Sequence, residues 1–131
     1  MKKNNNGFSL VELIIVIAIM AVLVGVLAPQ FIKYVEQSRR SRDITTAQEI
    51  REAVLADIAD GVITSGSSLT AASGNPTALG DTPTASGTIA KGSSFNASYN
   101  VTEGTCIVSI NGRTEVLTTE AGASTYKTAT T

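Results

Sequence analysis

The feature that most constrains this chain is an apolar run from Phe8 to Ala28, in which the only polar side chains are Ser9 and Glu12. As an α-helix the run is about 31 Å long at a rise of 1.5 Å per residue, which matches a hydrocarbon core of ~30 Å. The seven residues before it are polar and basic. The run is therefore typical of a helix that spans a membrane.

Three interpretations of this run compete. A secretory signal peptide fits the short basic start, but the run is long for one, and Pro29 follows the small-residue exit at Ala28. A plain anchor leaves Glu12 unexplained, because an acid in an apolar span costs roughly 2.5–3.5 kcal/mol near the bilayer centre and must pair or stay protonated. An anchor that assembles with its own copies explains it, because a cut after Gly7 creates an ammonium on Phe8 that Glu12 of another copy can meet.

The segment from Gly7 to Ile14, Gly-Phe-Ser-Leu-Val-Glu-Leu-Ile, resembles the processing site of type IV pilins and pseudopilins. That family has a short basic leader ending in Gly, then Phe, a Thr or Ser, two apolar residues and Glu, followed by a long apolar stretch. Pro29 also stands where many members carry a helix-kinking proline. The resemblance covers about residues 1–60.

The resemblance implies how the chain is processed and assembled. A prepilin peptidase would remove the leader, residues 1–7, by cutting between Gly7 and Phe8, and would then N-methylate Phe8. Glu12 would serve subunit docking, and deleting one partner of such a buried ion pair costs about 3–5 kcal/mol. The expected partners are further copies in a helical filament, the peptidase and an assembly platform in the membrane. The precursor would sit in the cell membrane as a single-pass protein, and the filament would be extracellular.

The charges around the apolar run give a different orientation from the one that the resemblance implies. The basic residues that flank the run are Lys2 and Lys3 before it and Lys33, Arg39, Arg40 and Arg42 after it. Counted by the positive-inside rule, the C-terminal side would be cytoplasmic, whereas the family places the leader there. Following the family, we expect the leader in the cytoplasm and the rest of the chain outside.

The arginine cluster at residues 39–42 has three interpretations. The first is a solvated helix face or a contact with lipid headgroups, the second is salt bridges between subunits, and the third is DNA binding. A net charge of −1 argues against general nucleic-acid binding.

Helical periodicity continues beyond Pro29. Apolar residues at spacings of three and four form one stripe of an amphipathic helix, namely Ile44, Ala47, Ile50, Val54 and Ile58. The helix should run from about Phe8 to Asp60, with a membrane and filament-core part at 8–29, an amphipathic part at 30–61 and a C-terminal cap at Gly61. Gly25 and Pro29 are expected weak points, because proline removes a backbone hydrogen bond and clashes with the preceding turn.

The C-terminal half predicts a small sheet. Residues 62–93 are rich in Ser, Thr and Gly and are interpreted as a surface loop. Residues 94–118 are interpreted as an antiparallel meander of three strands, at 95–102, 106–110 and 113–118, with a two-residue hairpin turn at Asn111-Gly112. Residues 119–131 would be a polar tail that Tyr126 can anchor. The expected fold class is α+β, a long N-terminal helix packed on about three antiparallel strands.

The residue inventory argues against catalysis. There is no His and one Cys, so the usual general base is absent and an internal disulfide is excluded. Cys106 lies in an apolar run and is interpreted as a core residue. No phosphate loop or regular ligand spacing stands out, so no catalytic, cofactor or metal site is expected, and the chain is not expected to be an enzyme. Triplets at Asn96 and Asn100 match the glycosylation pattern, which arises often by chance.

The function that these observations favour is that of a structural subunit of a type IV pilus, a major pilin that supports adhesion or twitching motility. One alternative is a minor pilin or a pseudopilin of a type II secretion or DNA-uptake system. Another is a membrane-tethered binding module that does not polymerise.

Overall fold

The computed structural model describes residues 7–66, 68–70 and 83–129. Its elements in chain order are α1 (Leu10–Ala59), β1 (Ser68–Thr70), a single 3₁₀ turn (Thr88–Ala90), β2 (Phe95–Asn100), β3 (Thr105–Ile110) and α2 (Glu120–Thr128). The chain divides into two units, Met1–Val35 and Glu36–Thr131, and α1 contributes to both. The α+β class predicted from the sequence is confirmed.

In the first unit, α1 presents apolar side chains on all sides. The large apolar residues from Leu10 to Tyr34 are each at least half exposed, from 51% at Val16 upward. By length and composition α1 is able to cross a membrane. An apolar surface of this extent is stable in lipid or against other helices, and in water it would drive association. The helix continues through Gly25 and Pro29 without interruption, and the kink expected there stays a prediction.

In the second unit, the apolar stripe of α1 forms one side of the core. Ile44, Ala47, Ile50 and Val54 are buried and Ile58 packs against them, as predicted. The other side is the inner face of the sheet, where residues alternate between buried and exposed. The buried sheet residues are Phe95, Ala97, Tyr99, Cys106, Val108 and Ile110. Cys106 is therefore a core residue, which confirms its interpretation.

The sheet is antiparallel with strand order β1-β2-β3. β2 and β3 pair along their full length, with Ala97 opposite Val108 and Asn100 opposite Thr105. The Asn100 side chain closes the loop between them, because its Oδ1 accepts from the backbone N–H groups of Thr102 at 3.0 Å and Glu103 at 3.3 Å. This hairpin holds the inner face of the sheet against α1.

The third strand predicted at 113–118 is wrong. These residues contribute one isolated bridge, between Ser109 and Val116, and the third strand is β1, inside the segment interpreted as a loop. The Asn111-Gly112 turn explains the difference. Gly112 has a φ of +82° while no described non-glycine residue has a positive φ, which matches a type II turn rather than the type I′ turn of a tight hairpin. A type II turn splays the flanking strands.

The segment interpreted as a polar tail, 119–131, contains a helix that the sequence analysis did not predict, because α2 occupies most of it. Thr119 caps this helix, its Oγ1 accepting from the N–H of Gly122 at 3.2 Å. Tyr126 is 0% exposed and anchors α2 to the core. The cap predicted for the C-terminal end of α1, at Gly61, is confirmed. Gly61 donates to the Ile58 carbonyl at 3.2 Å, and Val62 donates to the Asp57 carbonyl at 2.9 Å.

Candidate functional site

The start of α1 brings Ser9 and Glu12 together. Residues 7–9 are not helical, and α1 begins at Leu10. The Ser9 hydroxyl accepts from the backbone N–H of Val11 at 3.3 Å, and Oε2 of Glu12 accepts from the backbone N–H of Ser9 at 2.8 Å. This reciprocal pattern is a capping box, which satisfies backbone donors that have no partner inside the helix. It also explains why the helix begins two residues later than the predicted start at Phe8.

The capping box gives Glu12 a role within a single copy of the chain. A negative charge near a helix N-terminus is stabilised by about 0.3–1 kcal/mol through the helix dipole. Of the two carboxylate oxygens of Glu12, Oε2 has a hydrogen-bond partner among the described residues and Oε1 has none. Among the sequence-based interpretations of Glu12, none was a cap on its own helix, although Ser-x-x-Glu before an apolar run is the usual signature of one.

The Gly7-Phe8 junction lies directly before the capped turn. Phe8 is 92% exposed, and a side chain built on Gly7 would meet no atom within 4 Å. The peptide bond between them is thus in exposed, non-helical backbone. A protease can engage such a bond without unwinding a helix.

A second polar site lies inside the second unit, around Asp43. Asp43 is 1% exposed and accepts four hydrogen bonds. Oδ1 accepts from the backbone N–H of Ser86 at 2.7 Å and its hydroxyl at 2.8 Å, while Oδ2 accepts from the N–H of Gly87 at 2.8 Å and the Tyr126 hydroxyl at 2.6 Å. The carboxylate is therefore well satisfied, as a buried charge must be. Burial and the hydrogen bond to Asp43 raise the pKa of the Tyr126 hydroxyl.

Arg40 joins this site to the end of α2. Its Nη1 donates to the carbonyls of Tyr126 at 3.2 Å, Lys127 at 3.1 Å and Ala129 at 2.6 Å. A cation at this position caps the helix and complements its dipole. Arg40 is buried, so its interpretation as part of a solvated cluster is wrong, whereas Arg39 and Arg42 are exposed.

Glu36 extends the same network to the segment 86–88. Its Oε1 accepts from Nε of Arg40 and from the N–H of Thr88, each at 2.8 Å, and its Oε2 accepts from the Thr88 hydroxyl. Desolvation acts to raise the pKa of Glu36, but the bonds from Thr88 and Arg40 outweigh it, and the pKa lies below its ordinary value. We call Glu36, Arg40, Asp43 and Tyr126 the carboxylate cluster. It fastens both the 86–88 segment and α2 to α1.

The carboxylate cluster could not be recognised as a unit in the sequence. Asp43 and Tyr126 are far apart in the chain, and no motif links them. One signal was present, since Arg40 and Asp43 precede Ala47 at helical spacing and therefore continue the buried stripe. Charged residues on a buried stripe need partners, and partners from elsewhere in the chain were to be expected.

Comparisons with known proteins found a family model for the N-terminal region and relatives that each cover part of the chain. Residues 2–28 match the family model of the prokaryotic N-terminal methylation motif. A type IV major fimbrial protein FimA from Dichelobacter nodosus is 33% identical over an alignment of 88 residues, which covers 62% of this chain and 55% of the relative. A second FimA from that organism is 36% identical over 61 residues, 47% of this chain and 39% of the relative.

The chain thus spans about half the length of the curated relatives it matches, or less. No solved structure matches. The resemblance found in the sequence is confirmed at this level: the chain carries the N-terminal methylation motif of prokaryotic pilins and is homologous to type IV major fimbrial proteins.

Proposed function

We propose that this chain is a major structural subunit of a type IV pilus, cut after Gly7, N-methylated on Phe8 and polymerised through its N-terminal helix. The observation that carries the proposal is the methylation motif at residues 2–28, placed on a helix whose apolar side chains are exposed on all sides. Before assembly lipid covers this helix, and in the filament other copies cover it. The relatives named above are major fimbrial proteins, which favours a major over a minor subunit.

The start of α1 gives this assembly a chemical basis. Hydrolysis of the Gly7-Phe8 bond leaves an ammonium on Phe8, and methylation keeps that amine cationic. One oxygen of Glu12 holds the Ser9 N–H, and the other is available to the Phe8 amine of a neighbouring copy. Glu12 thus fixes the start of its own helix and pairs with the next subunit at the same time.

The partners and locations follow from this role. A prepilin peptidase cuts and methylates the precursor in the cell membrane, and an assembly platform there adds it to the filament. The second unit, with its sheet and α2, forms the filament surface that supports adhesion or twitching motility. The filament is extracellular.

Mass spectrometry of filaments from cells that express the full chain tests the proposal. The dominant subunit should begin at Phe8 and carry one added methyl group on it. A mature N-terminus at Met1, or one after Ala28, would contradict the processing. Trace abundance of the chain in filaments that another protein dominates would contradict the role of major subunit.

A further inference from the structure

The exposed side of α1 in the second unit has its charges sorted along its length. Arg39 and Arg42 come first, and Glu49 and Glu52 follow about two to three turns later. All four are exposed. In the part of the chain that the structure describes, the ion pairs are Arg40–Glu36 and Arg113–Glu115, so none of the four has a charged partner there.

Arg51 lies between Glu49 and Glu52 in the sequence, and its guanidinium already has a hydrogen-bond partner. Nε of Arg51 donates to the carbonyl of Cys106 at 3.1 Å, which directs that guanidinium to the edge of the sheet. It therefore does not neutralise Glu49 or Glu52 by an ion pair in the described structure. The two acids and the two arginines remain as separate patches of opposite sign.

The arginine patch borders an open cleft of about 590 Å³. Arg39, Arg42 and Lys91 supply three cations, and Thr46 and Thr84 supply hydroxyl groups. No acidic side chain among the described residues lines it. The cleft is formed where the segment 83–92 runs beside α1, held there by the carboxylate cluster through Ser86 and Gly87.

We propose that this cleft receives Glu49 and Glu52 of a second copy of the chain, an inference that rests on the proposed filament. The spacing supports this pairing, because Glu49 follows Arg39 by ten residues and Glu52 follows Arg42 by ten residues. A parallel neighbour displaced along α1 by ten residues, about 15 Å, forms both pairs together. Charge complementarity of this kind sets register and excludes wrong partners.

The angular positions of the two patches specify the symmetry. Ten residues at about 100° each fall about 80° short of three full turns, so the acids do not point opposite to the arginines. The second copy must therefore be rotated by about 100° as well as shifted. Shift and rotation together are a screw operation, and a contact between two different patches that does not close gives an open helical assembly. A parallel two-fold dimer, which has no shift along its axis, does not satisfy it. An antiparallel one would pair Arg39 with Glu52 and Arg42 with Glu49 instead, and would place Arg42 away from Glu52.

Charge reversal tests the pairing in cells that assemble the full chain. We expect R39E/R42E and E49R/E52R each to lower the filament yield about tenfold or more, because like charges then meet. The combined four-fold variant should return the yield to within about threefold of the original, as expected for coupled sites. Matched reversals at exposed charges elsewhere, Lys127→Glu and Glu103→Arg, should leave it unchanged.

Cross-linking tests the geometry independently of yield. One copy carries Arg42→Cys and another Glu52→Cys, both in a Cys106→Ala background, and a short bismaleimide is added to the filaments. We expect a cross-linked dimer from this combination and none when Arg42→Cys is combined with Glu103→Cys. The amount of processed chain in the membrane shows that each variant folds.

Several results would overturn the inference. If the original chain forms filaments but the Arg42→Cys and Glu52→Cys copies give no cross-link in theirs, the pairing is absent although the proposed function stands. The same holds if the four-fold variant does not restore the filament yield. If R39E/R42E leaves filaments intact and instead loses binding to phosphatidylglycerol vesicles, the cleft holds lipid phosphate. If the original chain is never clipped and forms no filaments, the proposed function fails and this inference fails with it.

Discussion

At the scale of single residues, Glu12 has a local role at the start of α1 and a proposed role between subunits, and two substitutions can separate them. Glutamine also serves at this position of a capping box, so Glu12→Gln should keep the bond to the Ser9 N–H and lose the charge. Glu12→Ala loses both. We expect both variants to insert into the membrane and both to lose filaments. Hydrogen exchange at Val11 and Leu13 should increase only in Glu12→Ala, and filaments from Glu12→Gln would show that the charge is dispensable.

The Tyr126 hydroxyl should stabilise the second unit through its hydrogen bond to Asp43. Tyr126→Phe removes a buried donor at 2.6 Å from Asp43, and an under-satisfied buried group costs about 1–3 kcal/mol. We expect the free energy of unfolding of the full chain in detergent to fall by about that amount. Tyr34→Phe is the matched control, because Tyr34 is 67% exposed. Equal effects of the two substitutions would contradict the role of the Asp43 bond.

Tyr126 also predicts a change of stability with pH. Its pKa in the folded chain is raised above the ordinary value of 10.0, so the unfolded chain loses this proton first as the pH rises. The stabilisation is therefore complete below about pH 10 and declines above it. We expect melting temperatures measured from pH 8 to 11 to fall less steeply in Tyr126→Phe than in the original chain or in Tyr34→Phe. Identical slopes in all three would rule this out.

At the scale of elements, the packing of α2 requires Gly122, although glycine has a low helix propensity. A Cβ on Gly122 would lie 2.1 Å from the carbonyl oxygen of Val116. In a free helix Gly→Ala is worth about 1 kcal/mol in favour of alanine, but this contact reverses the sign. We therefore expect Gly122→Ala to undock α2 and to increase proteolysis after Lys127, whereas the exposed control Ser124→Ala should not. A stabilised Gly122→Ala chain would refute the close packing.

The elements also differ in how far the sequence could predict them. The stripe from Ile44 to Val54 and the cap at Gly61 were predictable, because periodicity and the need for positive φ are local properties. β1 was not, because a strand of three residues in a Ser/Thr/Gly-rich segment carries no alternation to detect. α2 has a low-propensity sequence, and only Thr119 followed by Glu120 indicated a helix start. The bond from Tyr126 to Asp43 is a long-range contact that no local pattern encodes.

At the scale of the whole molecule, the two units have different requirements. Among the residues that the structure describes, the buried apolar core lies between Ile44 and Tyr126, and the carboxylate cluster also lies within Glu36–Thr131. The second unit therefore contains its own core and its own polar contacts. The first unit exposes apolar side chains on every side and needs lipid or other helices to cover them.

This division predicts that a fragment of residues 36–131 folds alone. We expect it to be monomeric by sedimentation and to unfold cooperatively, with a modest free energy of unfolding of about 5 kcal/mol, as for a small domain. The full chain should associate unless detergent is present. The same fragment with Tyr126→Phe should melt at a lower temperature, which ties the result to the carboxylate cluster. A fragment that is unfolded, or one that forms filaments without residues 8–35, would show that the two requirements are not separate.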